Sequence, residues 1–458
     1  MTTDSLQTAG DVRIENVILT TLNGDDIDLT NFMLEITLHE SIYAPCMFGS
    51  IILSDAVNLL AKAPIIGRDF ITLKIRTPEL GDTKRETISR TFTVYAVSDR
   101  KLNSDREQFY SIQFMSPEGM IDNVVRLTQK FTGSTDAIAE KIFSEYFSFD
   151  GVTFTLFDSP HSTSNFEFVA NHWSPFKCLN YLAKNSIGKE YKMPNVMFFE
   201  SNKSFYFTSI TSLIQEQLKA KILYDEYSYV TTLDEVTNRK LKKRSGDFTY
   251  TSPLLDNTMR TVSKIYYPTY FDQLKNQDSG YYGNTTFAYD FVNKDIYNIE
   301  FDYTSRHAAR REQRKNVINQ TFSSFKHIAD TAPMPRDAIS DPLSRIEFRA
   351  GASGLFGSND AFDIEQVTGV CFRNTSLAEL DAVKYEITVP GKTDVEVGKL
   401  IKFNYPNVSE KTSTPDSDTA FDPLISGIYL ITGVRHDITK LGYNMTLEIT
   451  RDAMGETR

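Results

Sequence analysis

The sequence predicts an α+β, mainly β protein: two similar small antiparallel β-barrels with an α+β insert and further insertions. Three observations predict it. From Val383 to Asp452 the chain reads strand, turn, strand, turn, strand, with Val383, Tyr385, Ile387 and Val389 alternating with Lys384, Glu386 and Thr388. A period of two places one face on a core and the other in a polar setting. The same pattern returns near the N-terminus, where Phe32, Leu34, Ile36 and Leu38 alternate with Met33, Glu35, Thr37 and His39. Between these two β-rich ends, at Ser134 and Ser174, the period becomes helical.

The echo between the two ends is specific in its spacing. Gly67 precedes Phe70, Ile71, Leu73 and Ile75 much as Gly398 precedes Leu400, Ile401 and Phe403. Phe92, Val94 and Val97 are spaced as Tyr429, Ile431 and Val434 are. Tyr110, Ile112 and Phe114 close the first unit as Tyr443, Met445 and Leu447 close the second. An internal repeat of one barrel accounts for this, and chance likeness of two meanders is the plain alternative.

In chain order, residues 1–11 read as an arm, and Val12 to Leu19 as the first strand. Asn23-Gly24 marks a turn, because both residues tolerate positive φ. Ser41 to Ser54 holds a strand bent at Gly49, and Ala56 to Ala61 a short helical link. Ser134 or Thr135 caps a helix with Ile138, Ile142, Phe143 and Tyr146 on its apolar side. Ser174-Pro175 starts another, burying Phe176, Leu179, Leu182 and Ala183 and ending by Gly188. Asn195 to Glu200 and Phe205 to Thr208 form a hairpin. An aromatic, strand-like stretch follows at 221–305, with Tyr224, Tyr227, Tyr229, Phe248 and Tyr250, and a turn at Gly280 to Asn284. The expected divisions are 12–118 (first barrel), 119–220 (α+β insert), 221–262 (start of the second barrel), 263–360 (inserted strands and helix) and 361–454 (rest of the second barrel).

Composition fits. The 458 residues suggest about three domains by length. Thirty-two Phe and 23 Tyr against one Trp suit pleated, half-buried surfaces. With 49 Lys and Arg against 60 Asp and Glu the net charge is −11, which argues against a surface that grips nucleic acid. Cys46, Cys178 and Cys371 form no CxxC pair, so neither a zinc ribbon nor a disulfide scaffold is expected. The polar start, Met1 to Gly10, is not a signal peptide, and no apolar run is long enough to span a membrane.

Catalytic chemistry is not evident. The histidines are His39, His161, His172, His307, His327 and His436; no two lie at i, i+4, so no metal is expected. Ser353 sits in G-x-S-G, not in a nucleophile elbow. Walker A and G-x-G-x-x-G motifs are missing, and no cofactor is expected. Asp416, Asp418 and Asp422 do not make a calcium loop, since Ala420 stands where a ligand is needed. Arg306, Arg310, Arg311, Arg314 and Lys315 form a basic cluster, read as an interface or solvent-facing helix. The polar loop at 405–425 is a candidate partner contact.

The block "YEITVPGKTDVEVGKLIKFNYP … SGIYLITGVRHDITKLGYNMTLEITRD" resembles the last barrel of the baseplate hub of contractile-tailed, T-even-like phages. "MLEITLHESIYAPCMFGSIILSD … FITLKIRTP … TFTVYAVSD … YSIQFMSPE" is similar to the first barrel, and "HWSPFKCLNYLAKNSI" with "FFESNKSFYFTSI" to the α+β insert of such hubs. The type VI secretion spike protein shares this core, and the end of the chain at Arg458 favours the hub over that spike. The resemblance implies two tube domains per chain and a homotrimer forming a pseudo-hexameric ring. Such a ring adapts a threefold central spike to the sixfold tail tube, touches tube-initiator and baseplate wedge proteins, and lets DNA pass unread through its lumen. It also implies a virion protein assembled in the host cytoplasm, with no enzymatic activity and no catalytic residues. A tail-associated cell-wall hydrolase, and a receptor-binding tail protein with Tyr281 and Tyr282 as its platform, are the alternatives.

Overall fold

A computed structural model describes residues 6–62, 65, 67–78, 87–104, 106–147, 153–156, 166–190, 193–202, 204–220, 225–229, 253–267, 274, 283–290, 294–302, 346–351, 373, 376–378, 380, 383–406, 421–422 and 425–451. First come β1 (Arg13–Thr20), β2 (Asp26–Asp28), β3 (Met33–Ser41), β4 (Phe48–Asp55), the one-turn α1 (Leu59–Lys62), β5 (Phe70–Arg76), β6 (Thr87–Ser104) and β7 (Glu107–Met115). Then follow α2 (Pro117–Val124), β8 (Leu127–Gly133), α3 (Thr135–Tyr146), β9 (Thr153–Thr155), β10 (Phe166–Trp173), α4 (Pro175–Lys184), β11 (Val196–Glu200), β12 (Ser204–Ser209) and α5 (Ile210–Lys219). After these come β13 (Asp225–Tyr229), α6 (Pro253–Met259), β14 (Thr261–Val262), β15 (Lys264–Tyr266), β16 (Gly283–Asp290), β17 (Asp295–Asp302) and β18 (Ile346–Gly351). The final meander is β19 (Val383–Pro390), β20 (Leu400–Asn404), β21 (Gly427–Thr439) and β22 (Gly442–Arg451). The protein is mainly β, with few helices.

One fourteen-stranded sheet dominates, in the order β14-β13-β20-β21-β3-β4-β7-β6-β5-β1-β2, with β22, β19 and β15 branching from β21. Two units lie within it. In the first the order is β3-β4-β7-β6-β5-β1, and in the second it is β15-β19-β22-β21-β20-β13. Register agrees as well as order. Ile71 faces Phe92 as Ile401 faces Tyr429, and Val97 faces Ile112 as Val434 faces Leu447. Both long strands carry a bulge at the same place, between Val94 and Ala96 and between Ile431 and Gly433. There Val94 donates its N–H to Asp69 O at 2.8 Å, and Ile431 donates to Lys399 O at 2.9 Å. Gly67 and Gly398 both hold positive φ, +82° and +83°, where a Cβ is strained. The units differ at their last strand: β1 runs antiparallel to β5, whereas β13 runs parallel to β20.

Three expectations from sequence need correction here. The closing strands match two residues further on than their spacing suggests, with Ile112 at the place of Leu447 and not of Met445. The strand at 32–39 does not stand where the strand at 383–389 stands; β4 is the counterpart of β19, because each faces the closing strand of its unit. The alternation from Phe32 is also broken. A bulge between Met33 and Glu35 buries Met33 and leaves Leu34 42% exposed. A pattern-based reading sees spacing and not the inserted residue that shifts it.

Both units share one apolar core that runs from Val17 and Leu19 through Ile36 and Leu38 to Ile438 and Leu447. A second core is built by α3, α4, β8 and β10–β12, and it is rich in phenylalanine: Phe131, Phe143, Phe147, Phe168, Phe176, Phe198, Phe205 and Phe207. Helix α3 starts after Ser134 and buries Ile138, Ile142 and Phe143. Helix α4 begins with Pro175, and the Ser174 hydroxyl accepts the Lys177 N–H at 3.4 Å. It ends at Asn185, not at Gly188, whose N–H goes to Met193 O instead. The hairpin is β11 against β12. Helix α5, which follows it directly, gave no clear sequence signal beyond its Ser209 cap, whose hydroxyl accepts the Ser212 N–H at 3.0 Å. Strands β16, β17 and β18 form a separate small sheet.

Strand β11 ends on two neighbours that bond different units. Buried Glu200 accepts the Met47 N–H at 2.7 Å and the Ser116 hydroxyl at 2.6 Å, and pairs with Arg90, all in the first unit or its exit. Ser201 next to it donates to Glu396 at 2.7 Å, beside the second unit. Burial, only partly offset by Arg90, raises the Glu200 carboxyl to about 7. Glu118 and Asp122 are raised by burial too. Between the ordinary value of 4.5 and about 7, the folded protein holds a proton on Glu200 that the unfolded chain lacks. Its contribution is therefore full below about pH 4.5 and lost as pH rises through about 7, a change on the order of 3 kcal/mol. Thermal unfolding followed across that window should show falling stability, and Glu200→Gln should flatten the slope. An unchanged slope in the variant assigns the effect elsewhere.

Candidate functional site

Among the described residues no group of three His, Cys, Asp or Glu could hold a metal ion. The feature that stands out is the seam between the two units. Strand β21 pairs antiparallel with β3, from Gly433 opposite Ser41 to Thr439 opposite Glu35. Ile42 extends the ladder by donating to Thr432 O at 3.0 Å. The core face of the seam is apolar, with Ile36, Leu38, Val434 and Ile438 all buried.

A polar group is enclosed in it. His436 Nδ1 lies 2.7 Å from the Tyr443 hydroxyl, and its Nε2 lies 3.4 Å from Glu40 Oε1. All three residues are buried. The Tyr443 hydroxyl donates to Lys392 O at 3.2 Å, so Nδ1–H is left to donate to the tyrosine oxygen. Nε2 then faces the Glu40 carboxyl across the seam, a polar contact closed off from water. Burial, with Glu40 and Asp394 nearby, holds the Tyr443 hydroxyl well above its usual range.

The opposite face of the sheet is polar at the seam and becomes aromatic in the first unit, at Phe48, Tyr95 and Phe109. On it lie Glu35, Thr37 and His39 of β3, Arg435 and Asp437 of β21, and Thr446 and Glu448 of β22. Arg435 pairs with Asp437 at 2.8 Å, and Lys384 with Glu448 at 2.7 Å. Its first-unit part hollows into a groove of about 620 Å³, lined by His39, Phe48, Ser50, Tyr95, Lys101 and Phe109 among others. His39 stacks on Phe48 with ring centres 4.9 Å apart. Burial, then Arg435, lowers its pKa, so it is neutral at pH 7.

The remaining sequence candidates are dispersed. His172 sits at positive φ in β10, and Asp422 caps a turn, its N–H on Tyr405 O at 2.9 Å. His161, His307, His327, Ser353, Asp416, Asp418, Tyr281, Tyr282, the basic run 306–315 and most of 405–425 lie outside the described residues. The Glu40–His436–Tyr443 group was not foreseen; its only trace in sequence is a histidine inside an apolar strand.

No known protein family matches the sequence, and no curated protein does. Solved structures do. The 43 kDa tail protein of prophage MuSo2 from Shewanella oneidensis aligns over 96% of this chain and 99% of its own, at 10% identity and a TM-score of 0.50. A tail protein from Neisseria meningitidis MC58 aligns over 95% and 96%, at 8% identity and a TM-score of 0.49. A component of the E. coli type VI secretion system aligns over 98% and 79%, at 9% identity and a TM-score of 0.40. The chain has the fold of a prophage tail protein. At this identity the likeness shows the fold alone, over nearly the full length of both chains.

Removing one member of the buried group leaves another uncompensated. Glu40→Ala should cost roughly 3–5 kcal/mol by chemical denaturation. The double variant Glu40→Leu, His436→Phe should recover much of it, because the apolar pair strands no polar group. Two independent, additive losses would show that the pair is not coupled.

Proposed function

We propose that this chain is the central hub of a contractile phage tail baseplate: a homotrimer whose doubled units form a pseudo-hexameric ring. One observation carries the reading. Two units with the same strand order, register and bulge stand edge to edge in one sheet within a single polypeptide. Three such chains present six near-equivalent units, which lets a threefold spike sit on one side and a sixfold tube on the other.

Each unit forms a small tube barrel in this reading. The supporting detail is a segment that touches both ends of its unit: residues 26–41 pair first with β1 and then with β4, and 261–266 pair first with β13 and then with β19. Residues 12–118 and, discontinuously, 221–267 and 361–454 make the two tube domains, with inserts at 119–220 and 268–360; the division expected at 262 moves past β15, which pairs with β19. The polar face that crosses the seam lines the lumen. Its mixed charges, in a chain of net charge −11, let DNA pass without being held, since repulsion acts over about 10 Å at moderate salt. The partners are the central spike, tube-initiator and baseplate wedge proteins, and the site of action is the virion. The role is structural, not catalytic. No described helix is long and apolar enough to cross a membrane.

Light scattering should give a three-chain mass for the purified protein, alone or with its spike, and images of the particle should show a ring of six lobes. A monomer indifferent to the spike, or a particle of another symmetry, overturns the assignment. Digestion of purified cell wall by the protein would return the hydrolase alternative.

A further inference from the structure

The α+β segment meets the two units through contacts of different chemistry. On the second-unit side they are neutral or balanced in charge. Gln217 donates to Gly398 O at 2.7 Å and accepts the Leu400 N–H at 3.0 Å. Arg373 donates to Pro194 O at 2.7 Å and to Ala183 O at 3.2 Å. Glu396, which accepts the Ser201 hydroxyl, has Lys399 at 3.0 Å. On the first-unit side the contacts converge on carboxyls. Glu200 accepts the Met47 N–H and the Ser116 hydroxyl and pairs with Arg90. Glu118 and Asp122 reach the same spot from α2, which is tied to the segment because Asp122 accepts the Phe176 N–H of α4 at 2.5 Å.

Cys46, on the first-unit side of this plane, feels all three: burial first, then Glu200, Glu118 and Asp122, push its thiol up to about 12, so it carries no charge. Arg90 answers both Glu200 and Glu118, and Arg126 answers Asp122. Glu200 and Glu118 are each 1% exposed, and Glu118 Oε2 has no hydrogen-bond partner among the described residues. The plane is tight. A Cβ on Gly119 of α2 would stand 3.0 Å from Cys46 Sγ and 3.0 Å from Met115 Sδ. Water reaches the two buried carboxyls only if the plane parts. Burial is the first cause that raises all three, so water is what their charged forms lack. A parted plane returns each group to its ordinary range and releases the protons that the closed plane holds. Rising pH therefore favours the parted form, from about 4.5, the ordinary value, to about 7, where the enclosed Glu200 ionises.

We propose that the α+β segment is a proton-operated clasp: loss of protons from Glu200 and Glu118 frees it from the first unit, and it swings on its contacts with the second. The second-unit side stays closed because its bonds run through a carboxamide, main-chain carbonyls and a paired carboxylate, none of which needs a proton to stay buried. The fall in stability over the same pH window thus begins as a local opening, on one side of one segment. The device does not depend on the hub assignment.

Amide hydrogen exchange on the full chain tests it, with each rate divided by the intrinsic rate at that pH. The Met47 amide, held by Glu200, reports the first-unit side, and the Leu400 amide, held by Gln217, reports the second. The opening constant at Met47 should rise by up to about tenfold per pH unit between about pH 5 and 7 and level off above, while that at Leu400 stays constant. With Glu118→Gln and Glu200→Gln together, the Met47 profile should be flat. Should the double variant not fold, Glu118→Gln alone decides, since it leaves the bonds of Glu200 in place: its Met47 slope must be shallower than that of the unaltered protein. Equal loss of protection at Met47 and Leu400 means that the molecule loosens as a whole and overturns the proposal. A flat Met47 profile in the unaltered protein, or a slope that persists once the carboxyls are replaced, overturns it too.

Discussion

The architecture depends on one strand being shared. Strand β21 belongs to the second unit by its pairing with β22 and β20, and to the first by its pairing with β3. Unpaired main-chain groups at a strand edge attract further strands, so an edge must be filled or guarded. Here the bulge between Ile431 and Gly433 increases local twist and turns the later half of β21 away from β20 and onto β3. The pairing of β21 with β3 thereby joins two neighbouring units into one sheet with one core. The buried Glu40–His436–Tyr443 group lies on this seam, where apolar residues of the right size would pack more cheaply. What such a group adds is register: a two-residue slip of β21 on β3, which keeps each face, would part the carboxyl from the imidazole and leave both buried without a partner.

The α+β segment acts as a clamp on the same seam. Glu200 bonds the first unit and Ser201 reaches Glu396 beside the second, so adjacent residues hold both. Gln217 of α5 donates to Gly398 O at 2.7 Å and accepts from Leu400 N at 3.0 Å, gripping the entry to β20. Thr77 and Thr393 bond across the units directly. Movement of one unit against the other would break these bonds together, and each break would leave a buried polar group unsatisfied. The segment's own phenylalanine core gives it the rigidity to serve this purpose, with Phe143 and Phe154 stacked 4.5 Å apart.

Much of this was legible in the sequence, because side-chain alternation and spacing survive duplication even when residue identity does not. The correspondence of Phe92, Val94 and Val97 with Tyr429, Ile431 and Val434 holds to the hydrogen bond. Helices α3 and α4 were legible from their start signals at Ser134 and Ser174-Pro175. The parts that were not legible share a physical cause: they depend on partners distant in the chain. The bulge that exposes Leu34 is set by β4, the parallel course of β13 by β20, and the pairing of β15 with β19 by a contact across an unrelated stretch. A short strand such as Lys264–Tyr266 has too few residues to show a period at all. The buried polar group is the same case, since Glu40 and His436 meet only after the two ends of the chain are paired.

Duplication also brings a hazard, and the differences between the units answer it. Two equivalent edges in one chain could pair with each other's partners in the wrong combination during folding, or stack copies without limit. The first unit carries guards that the second lacks. Strand β6 has an additional irregularity between Ser98 and Lys101, with Asp99 at a φ of +56°, and the charged run Asp99-Arg100-Lys101 occupies the edge. The equivalent stretch of β21 has no such bulge and buries His436. Bulges and charges on an edge slow its pairing with arbitrary strands without preventing a matched one. The seam inside the chain thus lies on the less irregular of the two equivalent edges.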